Sequence, residues 1–86
     1  MTEELRCQVN RVNFWLDLFL RSKKCTDSEG MALQKELRET LKKQLKALEE
    51  MARQEWGTLS QVERDDIAVT RVLAEIALLD EEEVVK

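Results

Sequence analysis

Histidine, proline and tyrosine are missing from these 86 residues, and glycine and cysteine occur only twice each. Without proline, and with so little glycine, the chain lacks the two residues that most often break a helix. Without histidine, zinc sites of the Cys/His type and acid–base catalysis by imidazole are excluded. No apolar run reaches the ~18 residues that a membrane helix requires. Met1-Thr2 carries no acylation motif, and Glu3 and Glu4 argue against a transit peptide. The expectation is a soluble intracellular protein of the cytoplasm or nucleus, in a compartment that keeps its two thiols reduced. If the segment from Cys7 to Cys25 is one helix, the two thiols lie about 27 Å apart at ~1.5 Å per residue, too far for a disulfide. Cys7 is then expected to be half-buried and Cys25 to sit in a loop.

What the sequence does have is charge and apolar surface, with 37% charged residues of both signs interspersed among 43% hydrophobic ones. That balance belongs to long amphipathic helices rather than to sheet or disorder. The length suffices for one small domain, and a fold of this size hides only about 60 to 65% of the surface its unfolded chain exposes. Such a domain gains much from a partner.

Two breaks divide the chain into an all-α arrangement of three helices, near residues 3–23, 29–56 and 60–80, forming a small bundle. In "SKKCTDSEGM", Thr26 with Glu29 has the form of a capping box, with Ser28 as the competing N-cap. In "EWGTLSQVERDD", Gly57 suits a left-handed position after a helix end, while Thr58 with Gln61, or Ser60 with Glu63, offers a new start. Residues 81–86 place acidic side chains at a helix C-terminus, where the macrodipole disfavours them, so this tail is expected to fray.

Helical periodicity then assigns faces. On the first helix Arg6, Asn10, Asn13, Asp17 and Arg21 form a polar stripe. Leu5, Val9, Val12, Leu16, Phe19 and Leu20 lie opposite, with Trp15 at the margin, and Cys7, Phe14 and Leu18 form a separate flank. The second helix aligns Leu33, Leu37, Leu41, Leu45, Leu48, Met51, Ala52 and Trp56 on one side, a stripe that needs no ligand to explain it. Its pairs Glu39/Lys43 and Glu49/Arg53 have the favourable i,i+4 order. The third helix is apolar on two sides. Val62, Val69, Val72, Leu73, Ile76 and Leu79 form the face expected to meet the core, and Ile67, Ala74 and Leu78 form another across the helix.

The end helices thus carry more apolar surface than a three-helix monomer hides, which points to a protein–protein interaction module: a scaffold, regulator or chaperone-like subunit. The expected contact consists of Phe14, Trp15, Leu18 and Phe19 on the first helix with Ile67, Ala74 and Leu78 on the third. Its partner is a second copy, giving a homodimer, or another protein's helix. No catalytic residue, cofactor, metal or small-molecule substrate is expected. Glu63, Asp65 and Asp66 lack the spaced loop of a calcium site and suit the first turn of a helix, although Asp66 lies close enough to the apolar stripe to seek Arg64, Arg71 or a basic residue of the second helix.

Residues 21–46 hold eight Lys or Arg against four Asp or Glu. That face could serve a nucleic acid through Arg21, Lys23, Lys24, Lys35, Lys42, Lys43 and Lys46. A net charge of −4 and the absence of an aromatic stacking pattern weigh against it. A small dimeric helical enzyme acting on an anion is a further alternative, and a pocket of converging Arg or Lys would be its sign.

Overall fold

The computed structural model describes residues 1–24 and 27–84, with side chains through residue 79. Three helices run in order as α1 (Glu3–Ser22), α2 (Ser28–Glu55) and α3 (Gln61–Val84), with a single 3-10 turn at Trp56–Thr58 before α3. The all-α bundle read from the sequence is what the chain adopts. Its helix ends match that reading to within one residue, except that α3 continues to Val84 instead of stopping near 80.

Each helix start has a side-chain cap, because the first amides of a helix have no carbonyl partner within it. The Thr2 hydroxyl accepts from the Leu5 amide at 3.2 Å and itself donates to Glu55 at 2.7 Å, tying the start of α1 to the end of α2. The cap of α2 is Asp27, whose carboxylate accepts from the Gly30 amide at 2.7 Å, rather than Ser28; Thr26 lies outside the described residues. A carboxylate gains from the helix dipole as well as from the hydrogen bond, which a hydroxyl does not. Ser60 and Glu63 form the expected capping box, with Ser60 N donating to Glu63 Oε1 at 2.9 Å and Glu63 N to Ser60 Oγ at 3.2 Å.

Gly57 differs from its expected role, since no described residue has a left-handed backbone. The 3-10 turn takes that role. Thr58 Oγ1 donates to Glu55 O at 2.8 Å, and Arg64 donates to Trp56 O from Nε and Nη2 at 3.1 and 2.8 Å, satisfying carbonyls that a left-handed glycine would otherwise serve.

The core lies mainly between α1 and α2. Leu5, Val9, Val12, Leu16 and Phe19 face Leu37, Leu41, Leu45, Leu48 and Ala52, with Leu59 closing one end. Polar bridges cross this seam: buried Gln8 donates from Nε2 to the Gln44 carbonyl and side-chain oxygens, both at 2.9 Å, and Gln34 Nε2 donates to Ser22 O at 2.8 Å. Against this pair α3 contributes Ile67, Thr70, Ala74 and Ala77, with Leu78 at the edge.

The inward face of α3 is therefore the one expected to be outward, and the reverse holds for the other. Ile67 and Ala74 are buried, whereas Val62, Val69, Val72, Leu73, Ile76 and Leu79 are exposed. Space decides this. Phe19 is the largest fully buried side chain and, with the leucines of α2, fills the interior, so beyond Ile67 α3 approaches through the smaller Thr70, Ala74 and Ala77. Lys23 then spans α1 and α3, resting 5.0 Å from the Phe19 ring centroid while donating to Ala77 O at 3.1 Å.

Ala74→Leu should destabilise the chain by about 1–3 kcal/mol through overpacking. The adjacent outward substitution Leu73→Ala should stay within about 0.5 kcal/mol in the unassociated chain. Urea unfolding measures both, and equal effects would refute this orientation of α3. An added Cβ at Gly57 meets nothing within 4 Å, so Gly57→Ala should stabilise by about 0.4–1 kcal/mol in the same assay. A loss would restore the left-handed reading.

Candidate interaction surface

Four contacts near its first half fix the rotation of α3 about its own axis. Its first turn is held by the Ser60–Glu63 box, and the Met1 ammonium lies 2.9 Å from Glu63 Oε2. Arg64 sits 5.5 Å over the Trp56 ring while bonding that residue's carbonyl. One turn pair further on, Arg71 Nε lies 3.1 Å from both Glu49 of α2 and Glu75 of α3. The two carboxylates hold the Arg71 guanidinium more firmly protonated than usual, with the Glu75 hydrogen bond as the largest cause.

With α3 held this way, Val62, Val69, Val72, Leu73, Ile76 and Leu79 form one stripe at helical spacing, each between 49 and 78% exposed. Single exposed apolar residues such as Val62, set apart by Asp65 and Asp66, are ordinary on a protein surface; a contiguous run from Val69 to Leu79, about three turns of one helix, is not, and such patches mark binding surfaces. Beside the stripe, between the second half of α2 and the first half of α3, opens a cleft of about 490 Å³. Leu48, Ala52, Trp56, Ile67 and Ala68 line it, and the Glu49–Arg71 pair crosses it. Ala68 lies one turn before Val72 on α3, so the cleft and the stripe share an edge.

The residues expected to make contact fall in three groups. Phe14 is 58% exposed, and its ring meets Trp15 edge to face at 5.3 Å. Trp15, Leu18 and Leu78 are half-buried against the core. Phe19, Ile67 and Ala74 are buried inside the chain's own core and present no surface to a partner. Periodicity found the α3 stripe but turned it inward, and it missed the Trp56 cleft. The available signal was side-chain size: of the two apolar faces of α3, the one richer in small residues fits against an interior already filled by α1 and α2.

Other expectations also find their places. Cys7 is exposed rather than half-buried, because the wide apolar stripe of α1 turns its flank outward; Cys25 lies outside the described residues. Asp65 and Asp66 are exposed, and Arg64 and Arg71 are engaged elsewhere, so the pairing sought for Asp66 does not form; Gln61 donates to Asp65 at 2.8 Å. Leu20, Leu33 and Trp56, assigned to apolar faces, are 41 to 48% exposed. Among the described residues no group of three or more Cys, Asp or Glu is placed to hold a metal ion, and no helix is long and apolar enough to cross a membrane. Comparison of the chain with protein-family models, with characterised proteins and with solved structures finds no match.

The box that starts α3 makes its stability depend on acid. Hydrogen bonds from the Ser60 amide, then the Met1 ammonium, lower the Glu63 pKa from 4.5 to about 2. A carboxyl whose folded pKa is depressed stabilises above its unfolded value, and that contribution is lost as pH falls through the folded one. Wild type should exceed Glu63→Gln in urea midpoint at neutral pH, and the gap should close between pH 4.5 and about 2. A gap independent of pH would show that the carboxylate charge is irrelevant. Ser60→Ala should cost about 0.5–2 kcal/mol by loss of the cap.

Proposed function

We propose that this chain is a protein–protein interaction module that receives a partner's helix along the outward stripe of α3 and the edge of the adjoining cleft. The observation that carries the reading is the arrangement of α3, which turns Ala74 and Ala77 inward with Ile67 and Thr70, while Val62, Val69, Val72, Leu73, Ile76 and Leu79 face water. A helix selected only to complete its own core would have the opposite arrangement.

Full burial of a Val, Leu or Ile gives about 1.5–3 kcal/mol, so covering the exposed halves of six such residues gives roughly 5–9 kcal/mol gross. The cost of association is of the same order, about 4–15 kcal/mol. The stripe alone therefore supports modest affinity, and tight binding needs a further contribution from the cleft or from charge.

A photo-crosslinking side chain placed at position 73 tests the proposal in the cells that make the protein. It should give a discrete adduct, and Ile76→Glu should remove it; the same probe at Asn13, on the polar stripe of α1, should give none. Equal labelling from both positions, or none from position 73, would sink the reading.

A further inference from the structure

We infer that the occupant of the α3 stripe is a basic amphipathic helix from a different protein, one carrying Lys or Arg around an apolar seam. This rests on the reading of that stripe as a binding surface and adds the chemistry of what binds. Charge is the ground for it. The α1 segment has three acidic and three basic side chains, α2 has six of each, and α3 has eight acidic against two basic. The net charge of the molecule is thus concentrated on the helix that also carries the uncovered apolar stripe.

Nor are the basic groups of α3 free to offset it there. Arg64 is committed to Trp56, and Arg71 to Glu49 and Glu75. Asp65 and Asp66 stand exposed in the turn between Val62 and Val69, and the sequence continues with Asp80, Glu81, Glu82 and Glu83 in the last turns of the same helix. An apolar seam with exposed carboxylates before its start and an acidic sequence after its end is complementary to a helix with an apolar seam and cations flanking it.

A second copy of this chain does not supply that helix. Pairing α3 with α3 brings like charge against like in either direction: antiparallel, Asp65 and Asp66 approach residues 80–83 of the other copy, and parallel, each acidic group approaches its own equivalent. The basic stretch of α2 from Lys35 to Lys46 points its leucines, Leu37, Leu41 and Leu45, into the core, and the exposed apolar residues of α2, Met31 and Leu33, precede it. On α1, exposed Phe14 and Leu20 do lie beside Arg11 and Arg21, but Arg21 is paired with Asp17 at 3.1 Å and the helix carries no net charge, so it lacks the surplus of cations that the occupant needs.

Two designed helical peptides of the length of α3, 24 residues, test this. Both carry the same leucine seam, one flanked by Lys and the other by Glu. Fluorescence anisotropy against the full chain should show the Lys peptide binding at least tenfold more tightly than the Glu peptide, with an affinity that falls as salt is added. Asp65→Asn with Asp66→Asn, both exposed and conservative in shape, should narrow that preference several-fold while leaving the circular dichroism melt unchanged. Leu73→Glu with Ile76→Glu should abolish binding of either peptide.

Equal affinity for the two peptides, abolished by the Leu73 and Ile76 substitutions, would overturn the basic partner and leave the binding surface intact. Failure of both peptides to bind would overturn the surface and the partner together. A dimer by light scattering that the same two substitutions disperse would assign the stripe to a second copy and overturn the inference.

Discussion

The space left beside the α1–α2 pair governs the rest of this molecule. Phe19 and the leucines of α2 pack into a seam that is closed by Gln8 bonding Gln44 and by Gln34 bonding the end of α1. A third helix has to lie against an interior that is already occupied. It does so through Ile67, Thr70, Ala74 and Ala77, and the apolar side chains it carries at the opposite register are left in solvent. The bundle, the exposed stripe and the cleft beside Trp56 all follow from that one limit on volume, because close-packed interiors accept small residues where large ones would force strain.

The sequence made the helices legible because their boundaries are written in short-range chemistry. Ser60 with Glu63 and the absence of proline act over a few residues and need no knowledge of the fold. The faces of α1 and α2 were legible for a related reason: each has one broad apolar side, and a helix with a single such side has a single way to turn. The orientation of α3 was not, since it is apolar on both sides and its choice depends on Phe19 and Leu41, which lie far away in sequence. Gly57 shows the same limit, because what replaces the left-handed turn is a guanidinium seven residues downstream. Of the expected contact residues, Phe14 is open and Ile67 is not, and the difference lies in packing density rather than in hydrophobicity.

Placing both the apolar stripe and the surplus negative charge on α3 also sets how the free chain behaves. Exposed apolar surface invites association with anything apolar, including other copies. Carboxylates alongside it raise the cost of approach for another acidic molecule and lower it for a cationic one. The charge therefore filters encounters before the apolar contact forms. Arg71 takes part by staying tied to Glu49, which keeps a cation of the chain's own from neutralising the seam.

The order of the helices along the chain has a kinetic consequence. The α1–α2 hairpin brings together neighbours separated by a short connection, and a contact of that kind closes at little entropic cost. The Gln8–Gln44 bridge and the leucine seam can form as soon as α2 is complete, without any contribution from α3. Lys23 meeting Ala77, and Thr2 meeting Glu55, join segments more than fifty residues apart. During synthesis on the ribosome, α3 emerges after α1 and α2, when the hairpin that sets its rotation can already be in place. Its outward apolar side thus takes its final orientation as soon as α3 docks on the hairpin.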